Sequence, residues 1–263
     1  MRGVIVAMPL WSITAVLFLF FSAVSLLARR FVRRRRDADD REAASEQAKS
    51  LLTGVAATFA FFVGFAINVT WGAATAGQIA VEQQAAALHQ MAWEIGHIDD
   101  PAQSAALMGK LRTYATTAAE QDDDFLRRGQ TTNLPSLVPL DDFENALHAY
   151  VGSSKTAGWQ ASALASAGSA LSTSSAGVAA VANRALPRPL AVLVTVVGVL
   201  ASIVMGVTTV VYERATLVFV WCLIPAMSIT VVLALAYPFA LRSGGNLAPL
   251  RAVAAQIAGT ANG

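Results

Sequence analysis

Residues 51–74 read LLTGVAATFAFFVGFAINVTWGAA, and no Asp, Glu, Lys, Arg or His falls between Lys49 and Glu82. About 20 apolar residues in a helix cross the hydrocarbon core of a bilayer, so this stretch predicts a transmembrane helix. Three further stretches share the property: 8–28, which ends at Arg29, then 190–211 and 215–241. A helix satisfies its own backbone hydrogen bonds where no water can do so, and all four are read as helical throughout. Trp11, Trp71, Tyr212 and Tyr237 stand near the expected ends, where amphipathic rings meet head groups. The first stretch is too long for a signal peptide, and arginines rather than a small-residue cleavage site follow it. It is expected to stay in the mature chain.

Composition demands the same solvent. Of 263 residues, 55% are hydrophobic and 14% charged, with a mean hydropathy of +0.53; soluble domains average about 45–50% apolar and about 25% charged. A packed core cannot hide that excess. A disordered chain, a collagen-like chain and nearly any soluble enzyme are excluded. The single cysteine, Cys222, excludes a disulfide framework and a cysteine metal cluster.

Charge sets the expected orientation. Segment 29–50 holds Arg29, Arg30, Arg33, Arg34, Arg35, Arg36, Arg41 and Lys49, against Arg2 alone ahead of the first stretch. Short basic segments stay cytoplasmic, which places the N-terminus outside and 29–50 inside. Segment 76–188, with 11 acidic and 7 basic residues, then lies outside, and Tyr212-Glu213-Arg214 forms a cytoplasmic turn. The arginine run could also be read as a nucleic-acid patch. Its place directly after a membrane helix favours anionic lipid head groups, at about 1 kcal/mol per arginine, over nucleic acid. Sixteen arginines against three lysines hint at a GC-rich bacterial genome, hence a bacterial plasma membrane.

Between the second and third stretches, helical signals dominate. Ile79, Gln83, Ala86, Gln90 and Trp93 continue the second helix without a breaker. Pro101 suits a first helical turn and opens a helix to about 128, with a stripe of Ala105, Met108, Leu111, Ala115 and Ala118. Residues 129–139 read as a loop, and Asp141 or Asp142 as the cap of a short helix carrying Phe143, Leu147 and Tyr150. The Ala/Ser/Gly-rich stretch 157–185 is a flexible linker or, as alanine favours, a helix of small residues suited to close packing.

The fold class expected is an all-α membrane protein: four transmembrane helices with a helical extramembrane domain inserted between spans 2 and 3. Its segments are the N-terminus and first helix (1–28), an arginine-rich cytoplasmic loop (29–50), the second helix (51–75), a helical extracytoplasmic domain (76–188), the third helix (189–211), a turn (212–214), the fourth helix (215–241) and a tail (242–263).

Catalytic parts are missing from the pattern. Glu94 and His97 share a helix face, but a di-iron bundle needs a second such pair and more glutamates; His89 and His148 do not supply them. The runs Asp99-Asp100, Asp122-Asp123-Asp124 and Asp141-Asp142 lack the alternating ligands and glycine of a calcium loop. There is no phosphate loop and no G-x-S-x-G element. No enzyme activity, cofactor or metal is expected. The second stretch says more: Gly54, Thr58, Phe61, Phe65, Asn68 and Gly72 fall on one helix face. Two readings stand, a pore-lining stripe with an apolar constriction and an amide for a passing ion, or helix–helix packing. Thr195, Gly198, Ser202, Met205 and Thr209 make a comparable stripe on the third helix, read first as packing.

Gly64-Phe65 through to Trp71, Val81-Glu82 followed by alanines, Ala185-Leu186-Pro187, and Tyr237-Pro238-Phe239 closing the fourth stretch resemble elements of the bestrophin-like family of bacterial four-span membrane proteins. The likeness covers about residues 45–242. Bestrophins proper are homopentameric anion channels whose second span lines an apolar neck, so the resemblance implies Phe61, Phe65 and Asn68 as neck residues. Two departures stand against it. Bestrophins keep their helical domain and termini in the cytoplasm, opposite to the arginine-based orientation, and their calcium-clasp acids have no counterparts here.

Three functions follow as expectations. One is a homo-oligomeric channel passing anions. Another is a non-enzymatic accessory or scaffold subunit that joins a partner membrane protein in a larger bacterial envelope complex. A sensor fits least, because 29–50 and 212–214 leave little room for a cytoplasmic output domain.

Overall fold

The computed structural model describes residues 9–35, 37–153, 158–183, 187–212, 216–240 and 246–259. Among them the chain is all-helical, with no strand. The helices are α1 (Leu10–Arg35), α2 (Ala38–Gly96), α3 (Pro101–Glu120), α4 (Asp122–Arg128), α5 (Leu137–Val151), α6 (Gly158–Ala182), α7 (Arg188–Thr208), α8 (Thr216–Ala236) and α9 (Ala248–Gly259). By length and composition α1, α2, α7 and α8 are apolar enough to cross a membrane. Arg36, Ala185-Leu186, Glu213-Arg214 and Leu241, on which expectations rested, lie outside the described residues.

Two compact units divide the chain, one within 3–72 and 185–236, the other within 73–184 and 237–263. The 59-residue α2 contributes to both. Its unbroken run agrees with the absence of any Pro between Ala38 and Gly96. The arginine-rich segment is helical rather than irregular: Arg29 to Arg35 form the last turns of α1, and α2 has already begun at Ala38.

The first unit packs α1 against α7 and α8 through small residues and a few aromatics. Phe21 is fully buried on α1, and a side chain at Gly198 would meet the rings of Phe21 and Phe59 at 3.3–3.4 Å. At Gly206 a Cβ would overlap the backbone carbonyl of Ser25, so only glycine lets α1 and α7 cross there. The Thr14 hydroxyl donates to Thr230 Oγ1 at 3.1 Å, Ser45 donates to the Thr208 carbonyl at 2.8 Å, and the Arg29 guanidinium donates to the Tyr212 carbonyl.

The second unit has the more conventional core. Val81, Leu88, Met91 and Ile95 of α2 face Leu111 and Tyr114 of α3, Phe143 of α5, and Leu164 and Leu171 of α6. Close approach is again needed, since a Cβ at Gly168 would lie 2.7 Å from Leu147 Cδ2. The helix expected over 101–128 divides at Gln121, whose N–H bonds back to Thr117. The break lets Asp122 turn inward, where its carboxylate accepts from the Ser136 N–H at 3.1 Å and from the Ser136 hydroxyl. Gly129 (φ 70°) closes α4 in the left-handed conformation that glycine adopts without a Cβ penalty. The next helix starts at Leu137, before Asp141 and Asp142, so neither acid caps it. Pro139 is accommodated in its first turn, where no N–H is required. The small-residue stretch is the helix α6. Beyond the fourth apolar helix, α9 buries Leu250, Ala254 and Ile257. Arg251 Nε donates to the Ala119 carbonyl at 3.1 Å, and Arg112 to that of Ile257 at 3.2 Å.

Candidate functional site

The apolar part of α2 has two unlike faces. Phe59, Val63, Ala66 and Thr70, at i, i+4, i+7 and i+11, are buried within the first unit. On the other side Gly54, Thr58, Phe61, Phe65, Asn68 and Gly72 are all exposed, with Phe61 at 68% and Phe65 at 53%. The six residues singled out by periodicity therefore share one face, and that face is exposed among the described residues. Packing within the chain belongs to the opposite face.

Two kinds of residue on this face make it unusual for a surface that meets only acyl chains. The first is glycine. A Cβ added at Gly54, Gly64 or Gly72 would find nothing within 4 Å, in contrast to Gly198 and Gly206. Glycine inside a helix costs about 1 kcal/mol against alanine, and no described atom approaches the Cβ position of any of these three. Gly64 was not in the sequence-derived stripe, although its spacing from Phe61 and Asn68 puts it on the same side; the signal was the third glycine in a single span. The second is Asn68. Its amide makes no hydrogen bond to another described residue, and an unmet amide in hydrocarbon costs several kcal/mol. The Thr58 hydroxyl, by comparison, satisfies itself on the Gly54 carbonyl at 2.8 Å. Gly54, Gly64, Gly72 and Asn68 thus give this exposed face small and polar groups beside its two rings.

The stripe on α7 behaves differently. Gly198, Ser202, Met205 and Thr209 are buried, with the Ser202 and Thr209 hydroxyls bonded to the preceding turn at 2.9 Å each. Only Thr195 faces out. This stripe is packing.

The arginines separate as well. Arg29 is buried, while Arg30, Arg33, Arg34 and Arg35 are exposed. Basic residues suit the last turn of a helix, where the backbone carbonyls carry partial negative charge.

In the second unit, polar groups are mostly satisfied locally. Gln84 Nε2 donates to the buried Tyr114 hydroxyl at 2.7 Å, and burial raises the Tyr114 phenol above its ordinary range. Burial likewise pushes the Asp122 carboxyl up to about 6, against the pull of its two bonds from Ser136. His97 Nδ1 lies 2.7 Å from the Trp93 carbonyl oxygen, with its ring against the Trp93 indole at 4.1 Å. No group of three or more His, Cys, Asp or Glu side chains converges among the described residues.

A family model, the bestrophin-like domain, matches residues 15–241. No curated protein matches. The chain is similar to two crystal structures of membrane proteins. One is 14% identical with a TM-score of 0.65, over 92% of this chain and 95% of that one. The other is 12% identical with a TM-score of 0.60, over 94% and 96%. Likeness at such identity is one of fold. Four apolar helices, the family match and these neighbours agree on a multi-pass membrane protein.

Proposed function

Because the chain belongs to the bestrophin-like family, we propose that it is a homo-oligomeric channel for anions, in which the outward face of α2 lines the axis. The observation that carries this reading is the coincidence on one exposed face of Phe61, Phe65, Asn68 and three glycines at which an added Cβ would meet no described atom within 4 Å. In an assembly the phenylalanines form an apolar constriction that gates by dewetting. The Asn68 amide donates to a partly dehydrated anion, and the glycines admit the adjacent subunit. The chain performs no chemistry on its cargo and needs no cofactor. The arginine bias of 29–50 supports a cytoplasmic position for that segment, against anionic head groups, and an extracytoplasmic position for 76–188 in a bacterial plasma membrane.

The test is flux. The purified oligomer in liposomes should pass chloride, and Phe61→Ala or Phe65→Ala should change the rate or the selectivity. A confirmed oligomer without flux removes the channel. A second reading, an accessory subunit bound to another membrane protein, draws on the exposed indoles of Trp93 and Trp159 in the second unit. Mild-detergent purification that recovers a stoichiometric heterologous partner supports it, and a purely homomeric particle counts against it.

A further inference from the structure

We propose that the basic end of α1 holds one anionic phospholipid in a groove formed with the start of α2 and with α7. The groove has two adjoining lobes of about 720 and 320 Å³. Both are walled by Phe31, Val32, Arg35, Ile203 and Val207. Along α1, Leu27, Arg30, Phe31 and Arg34 follow at i, i+3, i+4 and i+7, which places apolar and cationic side chains on one face. Leu27, Phe31 and Ile203 are exposed and make a hydrocarbon floor. Arg30, Arg34 and Arg35 stand at its lip, with the Arg35 guanidinium 4.8 Å from the centre of the Phe31 ring.

Charge selects the occupant. Among the described residues no carboxylate pairs within 4 Å with Arg30, Arg34 or Arg35, although Asp39 and Asp40 open the next helix. Guanidinium groups match phosphate oxygens in a planar fork. Depth agrees as well: the apolar part of α1, from Leu10 to Ala28, rises about 28 Å, close to the roughly 30 Å of a hydrocarbon core. The arginines therefore sit at head-group level, with the floor among the acyl chains. A free phosphate has no use for the floor, and a zwitterionic lipid leaves the cations unbalanced.

The structure also sorts the basic run. Arg29 is turned in on the Tyr212 carbonyl. Arg33 lines neither lobe, and its carbonyl accepts from Arg41 at 2.7 Å. Arg33 is thus a charge-matched control. The site stands apart from conduction, since a chain that passes no ions would still hold the lipid.

Native mass spectrometry of the full chain in mild detergent, titrated with phosphatidylglycerol, tests this. One lipid per subunit should saturate the site. Arg30→Gln and Arg34→Gln should each weaken binding about fivefold, and the pair about 25-fold. Phe31→Gln, which keeps every charge, should weaken it as well, whereas Arg33→Gln should leave it within about twofold. Glycerol phosphate should not displace the lipid, and phosphatidylcholine should not bind at the same concentrations. Equal losses in Arg33→Gln and Arg34→Gln would reduce the effect to diffuse attraction and overturn the site. Unchanged binding in Phe31→Gln, displacement by glycerol phosphate or equal retention of phosphatidylcholine would each do the same.

Discussion

Replacing Gly54, Gly64 and Gly72 together by alanine separates the fold of a single chain from whatever its α2 face meets. Within the chain the three methyl groups enter open space. Alanine is the better helix former by about 0.8–1 kcal/mol per residue, so an α2 that touched only lipid would be stabilised by up to about 3 kcal/mol. Against a close neighbouring helix the sign reverses, because glycine permits the backbone approach and each forced methyl costs about 1–3 kcal/mol. Both signs can be read on one preparation. Circular dichroism melting in a dissociating detergent reports the single chain, while particle mass in mild detergent and chloride flux in liposomes report the assembly. The expected result is a dissociated chain that melts no lower than the parent, together with loss of the assembled particle or at least a tenfold change in flux. A triple variant that assembles and conducts like the parent would refute the reasoning, since no neighbouring helix could then approach α2 closely at these glycines.

Other consequences concern the single chain. Gly206→Ala should lower the melting temperature even in the dissociated state, by an amount equivalent to about 2 kcal/mol or more, because the methyl collides with the Ser25 carbonyl; an unchanged melt would mean that α1 and α7 do not cross as described. The Asp122 carboxyl, held at about 6 by burial, binds its proton more tightly folded than unfolded. Its stabilising contribution is complete below about pH 4 and is lost as pH rises to about 6, a fall of about 3 kcal/mol. Asp122→Asn can still accept the Ser136 N–H at Oδ1 and donate from Nδ2 to the Ser136 hydroxyl oxygen, and it should flatten that part of the pH–stability curve; a variant with the parental slope would assign the slope elsewhere. Phe143→Ala removes a fully buried ring from the second core and should cost about 3–5 kcal/mol in thermal melts, with a loss below 1 kcal/mol contradicting the packing.

Several features were legible because they are local. Hydropathy is a property of a segment, so LLTGVAATFAFFVGFAINVTWGAA and its three counterparts announce helices apolar enough to cross a membrane without reference to anything distant. Spacing along a helix is equally local, and Gly54 through Gly72 could be placed on one face by counting. The likeness read in Gly64-Phe65, Val81-Glu82 and Tyr237-Pro238-Phe239 falls within the 15–241 family match. The break at Gln121 was not legible, because its cause is a carboxylate meeting Ser136, 14 residues away. The helix α9 was hidden for a similar reason: its short apolar stripe has meaning only beside the carbonyls and side chains of α3 and α4.

Sequence alone thus determined the solvent, the helical class and the membership of the stripe, all of which follow from burial and periodicity within one segment. Which side of α2 turns inward was left to tertiary structure. In water an amphipathic helix declares its buried face by polarity, but in a bilayer both faces are apolar, and Phe59 and Phe61 look alike until a partner is in place. Only the folded chain, by seating Phe59 beside Gly198 and leaving Phe61 exposed, decided which ring belongs to the core and which faces outward.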